Sequence, residues 1–214
     1  MSLRDLESFA SCDWGYNAKG VVLWWLCLPD GAYHIRREYV FHAMTAEQVG
    51  KAIHDTTRAL GCARLRYIAA DPAMWQKTGA GRGESIAETL LRMRLPMRKS
   101  DNDRRNGWFR VHELLRDRPD GAGPWLTVDP SCKYLIRTLP AMMQDKDDPD
   151  DLDTKQDDHA VDALRYGAMS RPSPTRYATE QHKPSPFSAG ALLTDAMLAA
   201  NQSPTLGHAN VRGR

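Results

Sequence analysis

The sequence predicts an α/β fold: a mixed β-sheet, built from an antiparallel three-strand meander plus parallel strands and flanked by helices. Three observations carry that expectation. Residues 21–28, VVLWWLCL, are a continuous apolar run of strand length, as expected for a strand covered on both faces. Stretches rich in β-formers lie on either side of it, at residues 9–13 and 33–41, and short Gly/Asn and Pro-Asp-Gly connections join them as hairpins. A helical segment then leads to a fourth β-rich stretch, residues 65–70. A strand reached through a helical crossover is most simply parallel to one already laid down.

Taken in order, residues 9–13 form the first strand, broken by Gly15, Asn17 and Gly20. Thr45-Ala46-Glu47-Gln48 is a capping-box pattern, and Val49, Ile53 and Leu60 follow at helical intervals, with Gly61 placed to end the helix. Asp71-Pro72 stops the fourth strand. Gly79 to Gly83 is a loop without the Gly-Lys-Ser/Thr ending of a phosphate-binding P-loop. Residues 85–94 read as a helix and Leu95-Pro96-Met97 as a short edge strand. Residues 104–116 read as a helix with Trp108, Val111, Leu114 and Leu115 inward and Arg104, Arg105 and Arg116 outward. Residues 125–128 read as a strand, 132–143 as a helix, and a last helix runs from 157 to 169. One domain is expected over residues 1–171. Residues 172–214, with five prolines between Pro172 and Pro204, read as a flexible Pro/Ser/Ala-rich tail.

The chain has 214 residues, 42% of them hydrophobic, and a formal net charge of +2, so a core can form and no global basic signature is present. Charge is patterned instead. Between Arg92 and Arg118 nine Arg or Lys face four acids, and between Asp145 and Asp158 there are eight Asp and two Lys. A basic region beside an acidic one suits a site that holds a polyanion and a metal. Cys12, Cys27, Cys62 and Cys132 form no Cys-x-x-Cys pair, which argues against zinc ribbons and disulfide frameworks. No signal peptide appears, residues 21–28 are too short to span a bilayer, and no membrane role is expected. The opening Met1-Ser2-Leu3 suggests an introduced start, and hence a domain cut from a longer chain.

The chemistry rests on Asp13, Asp71 and Asp162. Asp13 ends the first strand and Asp71 the fourth; if these are neighbours, their backbones lie about 4.8 Å apart. Carboxylates that close raise one another's pKa unless a cation lies between them. In Asp157-Asp158-His159-Ala160-Val161-Asp162, Asp158 and Asp162 share one helix face at i, i+4 and repel there too. The last helix can deliver Asp162 to the two strand ends, with Asp158 and His159 in reserve. Several carboxylates without cysteine make a hard, oxygen-rich site suited to two divalent ions, Mg²⁺ or Mn²⁺. Two such ions about 3.5–4 Å apart would activate a water and stabilise the leaving oxygen of a phosphodiester. Singly, Asp13 also reads as a turn residue, Asp71 as a cap, His159 as a packing histidine and the acidic start as a solvated helix end; the joint pattern favours the metal site. Lys99, Arg104, Arg105 and Arg110 are the candidate phosphate contacts.

The order strand-Asp-x-Gly, meander, helix, strand-Asp, then Asp-Asp-His-Ala-x-Asp-Ala-x-Arg-Tyr resembles the nuclease domain of the large terminase subunit of tailed bacteriophages. The resemblance covers about residues 8–170, and the last motif is its most specific part. It implies an RNase H-like fold and two-metal endonuclease chemistry on concatemeric phage DNA during genome packaging. The expected setting is the cytoplasm of the bacterial host, at the procapsid portal. Matched by motif, Asp13, Asp71 and Asp162 would be metal ligands, with Asp158 and His159 near the second metal. The implied partners are double-stranded DNA, a terminase ATPase domain, the small terminase subunit and the portal protein. The family's full-length protein also carries an amino-terminal ATPase; nothing here matches its Walker motifs, so no ATP site is expected in this chain. Another RNase H-like enzyme, of the junction-resolvase or transposase type, and a non-catalytic module docking on DNA or portal are the alternatives.

Overall fold

Three strands follow one another as a meander: β1 (Ser8–Asp13), β2 (Gly20–Cys27) and β3 (Tyr33–Phe41), each paired antiparallel with the next. The computed structural model describes residues 6–62, 64–77, 83–142 and 157–171. Helix α1 (Ala46–Ala59) then crosses the sheet to β4 (Ile68–Ala70), which joins β1 in parallel. β5 (Met97–Lys99) extends this edge in parallel, and β6 (Leu126–Val128) pairs in parallel with β3 at the other edge. The order is β5-β4-β1-β2-β3-β6, so the six-stranded mixed sheet is the one the sequence predicts.

Period-two alternation sorts the side chains into two layers. Phe9, Leu23, Trp25 and Ile35 face helices α3 (Arg104–Leu115), α4 (Lys133–Thr138) and α5 (His159–Met169). Ala10, Cys12, Val22 and Trp24 face α1 and α2 (Ile86–Arg92). This explains why β2 is apolar throughout: it lies inside the sheet with helices on both sides. The capping box at Thr45 forms as read, with Gln48 N–H donating to Thr45 Oγ1 at 3.3 Å and Thr45 N–H to Gln48 Oε1 at 2.9 Å. Gly61, at φ 72°, sits in the left-handed conformation that lets glycine end a helix without strain.

Helix α5 lies close on the sheet because its inner face is small. Ala160 and Ala163 are fully buried, and a Cβ placed on Gly167 would stand 2.3 Å from Cζ2 of Trp25. Trp25 cannot yield easily: its Nε1 donates to Ser11 Oγ at 2.9 Å and its ring stacks on Phe9 at 5.3 Å.

The structure corrects several element readings. The edge strand begins at Met97 rather than Leu95, because Pro96 has no N–H to give a ladder; it offers only its carbonyl, to Ile68 N at 2.8 Å. β4 is shorter than residues 65–70. The helix read over 132–143 stops at Thr138 and continues as one 3₁₀ turn, Leu139–Ala141, where Pro140 cannot donate the next helical bond. Leu115 is 39% exposed rather than inward, since its neighbour Leu114 already occupies the buried face. Most of the glycine loop at 79–83, the acidic stretch before Asp157 and the tail from 172 lie outside the described residues. Among the described residues no helix is long and apolar enough to cross a membrane.

Candidate metal centre

The same alternation that points Phe9 and Ser11 towards α5 points Asp13 there too. β1 and β4 run parallel with Cys12 opposite Ala70, so Asp13 and Asp71 leave adjacent strands at the same level. The Asp71 N–H donates to the Cys12 carbonyl at 3.2 Å, carrying the pairing to the strand ends. Above them, the first turn of α5 supplies Asp158, His159 and Asp162. Topology thus places Asp71 and Asp162 near enough for their charges to act on Asp13. Asp158 is only 9% exposed, so this helix start is not the solvated one that the acidic run alone allows.

The carboxylates of Asp13, Asp71 and Asp162 are engaged by protein. Asp13 Oδ2 lies 3.1 Å from His159 Nδ1. Asp162 accepts from Arg165 Nε at 3.0 Å and lies 3.5 Å from an Arg104 NH group through both its oxygens. Asp71 Oδ1 accepts from Ala73 N–H at 2.9 Å, capping a 3₁₀ turn, Pro72–Trp75. In this arrangement no three His, Cys, Asp or Glu side chains among the described residues stand where they could share one ion. By donor chemistry the residues nevertheless suit a hard cation. Burial, and after it the charges of Asp162 and Asp71, raises Asp13 from its ordinary 3.8 to about 6, against the hydrogen bond from His159. Burial and then Asp162 likewise raise Asp158. A divalent ion among these groups would relieve that strain in place of His159 and the arginines.

The shifts carry a pH prediction. A folded-state pKa above the unfolded value means that ionising Asp13 costs stability, absent below about pH 4 and complete above about pH 6. His159 is raised above 6.5, first by its hydrogen bond to Asp13; the stability it adds is present below 6.5 and is lost as pH rises through the folded value. Both act in one direction. Without metal, the domain is expected to melt at a higher temperature at about pH 5.5 than at about pH 8. Asp13→Asn should flatten most of that slope in calorimetry with EDTA present. An unchanged slope in the variant would show that this pair does not control it.

The structure is similar to the large terminase of a thermophilic bacteriophage, with a TM-score of 0.62 and 18% identity, over 77% of this chain and 39% of that one. It is similar to the nuclease domain of the P22 large terminase, with a TM-score of 0.59 and 15% identity, over 78% of this chain and 82% of that one. It also matches the large terminase nuclease of a second thermophilic phage, G20c, solved with bound zinc, at a TM-score of 0.53 and 15% identity over the same shares. The chain has the terminase nuclease fold. It spans about two-fifths of the length of the first of these terminases. No protein-family model matches the sequence, and no curated protein matches it.

On this terminase nuclease fold the four basic residues singled out from sequence part company. Arg104, at the start of α3, sits beside Asp162, and Arg105 next to it is exposed. Lys99 lies on the edge strand with its ammonium 5.5 Å from the centre of the Trp75 ring. Arg110 is a correction: it is 7% exposed, paired with Glu113 at 2.6 Å, and donates to the Arg171 carbonyl at 3.3 Å. Its guanidinium is turned into the packing of α3. Arg165 reads from sequence as a buttress of the last helix, but two contacts escaped that reading, its pair with Asp162 and that of Lys19 with Asp157. Arg165 is 1% exposed, held by Asp162 and by Asn102 Oδ1 at 3.2 Å, with Trp108 and Tyr166 against its guanidinium. Lys19, from the β1–β2 connection, pairs with Asp157 at 2.8 Å, and the Tyr134 hydroxyl donates to the same carboxylate. The i, i+3 spacing of Asp162 and Arg165 was a usable signal for the first. Nothing local marks the second.

Proposed function

We propose that this chain is a metal-dependent DNA endonuclease, the nuclease part of a large terminase, which cuts concatemeric viral DNA during genome packaging. What supports the reading is that Asp13 and Asp71 leave adjacent parallel strands at one level, with a buried Asp13 raised to about 6 by burial and by the charges of Asp162 and Asp71, on the terminase nuclease fold. Asp13, Asp71 and Asp162 would hold the ions, two of Mg²⁺ or Mn²⁺, with Asp158 and His159 beside them. The zinc found in the G20c nuclease supports divalent-metal use on this fold. When bound, the ions supply an activated water and neutralise charge at the leaving oxygen.

The chain's own groups set the stage for that chemistry. Arg165, locked between Trp108 and Tyr166, fixes the orientation of Asp162. His159 holds Asp13 through its Nδ1, at 3.1 Å from Asp13 Oδ2. Arg104 is the cation nearest to Asp162 on the α3 side, within reach of a phosphate brought to the centre; Arg105 and Lys99 would extend phosphate contact. Phosphate contacts of this kind give salt-sensitive, largely sequence-independent binding. Double-stranded DNA is the proposed substrate, and a terminase ATPase domain, the small subunit and the portal are the proposed partners. The place of action is the host cytoplasm, at the procapsid portal.

Nicking of supercoiled plasmid by the purified chain tests this, with Mg²⁺, Mn²⁺ or EDTA. Cutting is expected with either metal and none with EDTA. Cutting that survives EDTA, or DNA binding that needs no metal and accompanies no cutting under any condition, would sink the proposal.

A further inference from the structure

A cleft of about 800 Å³ opens at the other end of the sheet, beside Ser8 at the start of β1 and Leu65 ahead of β4. Asp13 stands five residues further along β1, about 17 Å away at the rise of a strand, so the cleft is separate from the metal centre. Arg58, Arg64, Arg66 and Arg94 line it, with Glu7 as the acid among them. Glu7 is already claimed by Arg66 and by Arg171, each at 2.6 Å. Arg58 pairs with Asp55 at 3.5 Å, while Arg64 and Arg94 have no ion-pair partner among the described residues. Arg58 and Arg66 are largely exposed and already paired, so the positive potential of the cleft rests chiefly on Arg64 and Arg94, and such a potential favours an anion there.

Arg94 adds an independent observation. It follows the end of α2 at φ 62°, its N–H donating to the Leu91 carbonyl at 2.8 Å while Leu95 N–H donates to Leu90 at 3.1 Å. This is the helix-ending position where glycine fits without strain and a long side chain does not. The fold carries an arginine there, on the lining of the cleft.

We propose that this cleft binds a phosphate-bearing ligand of nucleotide size. Its volume falls in the range of small-molecule sites, about 300–1,000 Å³. Guanidinium forks match phosphate oxygens two at a time. The buried side chains of Leu65 and Leu95, with Pro96, supply an apolar wall against which a base or sugar can rest. The phosphate can belong to a free nucleotide or to a nucleic-acid strand, and the proposal does not depend on the nuclease reading.

The test is titration calorimetry on the 214-residue chain in EDTA at low salt, with three probes: inorganic phosphate, a deoxynucleoside 5′-monophosphate and a short 5′-phosphorylated oligodeoxynucleotide. Arg94→Gly removes the side chain and relieves the backbone, so its Tm should hold or rise; Arg64→Ala is an exposed change. Each should weaken binding about tenfold, the equivalent of one hydrogen bond to a charged group, whereas Asp13→Asn should leave it unchanged. Binding of the mononucleotide identifies a free ligand, and binding of the oligonucleotide alone identifies a strand. Binding indifferent to both arginine variants, or no binding of any probe at about 10 mM, a concentration at which a millimolar site would be filled, overturns the proposal.

Discussion

Replacing Asp13 by Asn is expected to cut metal-dependent nicking by more than about 100-fold, since loss of even an outer partner of a metal ligand costs about 10–100-fold. The same change is expected to leave the fold as stable as before, or more so, at about pH 8. Asp13 is 7% exposed, and its pKa lies about two units above the ordinary carboxylate value, so holding it ionised costs about 3 kcal/mol. Asparagine removes that cost, which is already net of the bond to His159, so the variant is expected to gain stability at about pH 8. Asp162→Asn should lose nicking equally but destabilise, by up to about 3 kcal/mol, because Arg165 is then left buried beside a neutral partner. Plasmid nicking paired with urea unfolding of both variants separates the outcomes. If both variants still cut in Mg²⁺, the centre is misassigned; if Asp13→Asn unfolds the domain, its carboxylate is a structural group and not a strained ligand.

Gly167→Ala is expected to destabilise by about 1–3 kcal/mol, the usual cost of overpacking. The sign is notable, because on an exposed helix the same change stabilises by about 1 kcal/mol through helix propensity. Here the new methyl would meet the Trp25 ring at 2.3 and 2.5 Å, and Trp25 is 1% exposed and pinned by Ser11 and Phe9. The helix has to yield instead. It carries His159 and Asp162, so nicking should fall along with stability even though Gly167 lies two turns from Asp158. Denaturant midpoints and nicking rates measured on one preparation check this. An unchanged midpoint would show that α5 can lift off the sheet without cost, and would remove the packing account of how the centre is held.

Much of the fold was legible because it is written locally. The run at 21–28 needs only its own composition to declare a strand covered on both faces, and β3 occupies Tyr33–Phe41 as read. Thr45 and Gln48 cap α1 through bonds three residues apart. Asp13 and Asp71 were recognisable because each stands where a strand stops, and the crossover helix requires those strands to run parallel. The misreadings are local as well: Pro96 and Pro140 each withhold one N–H, and each moves a boundary by a few residues.

The state of the charges could not be read in the same way. Arg110 and Phe109 are neighbours, yet the arginine is 7% exposed and the phenylalanine 65%. Arg104 meets Asp162 across 58 positions, and Asp13 meets His159 across 146. By itself the sequence determined the order of the elements, the strand ends that carry two of the acids and the helix that carries the third. Only the tertiary structure decided which arginines turn inward, which cations rest on the aspartates and where four arginines line a cleft. The reason is physical. A strand or a cap is settled by hydrogen bonds among adjacent residues, whereas the cost of a buried charge depends on groups brought to it from distant parts of the chain.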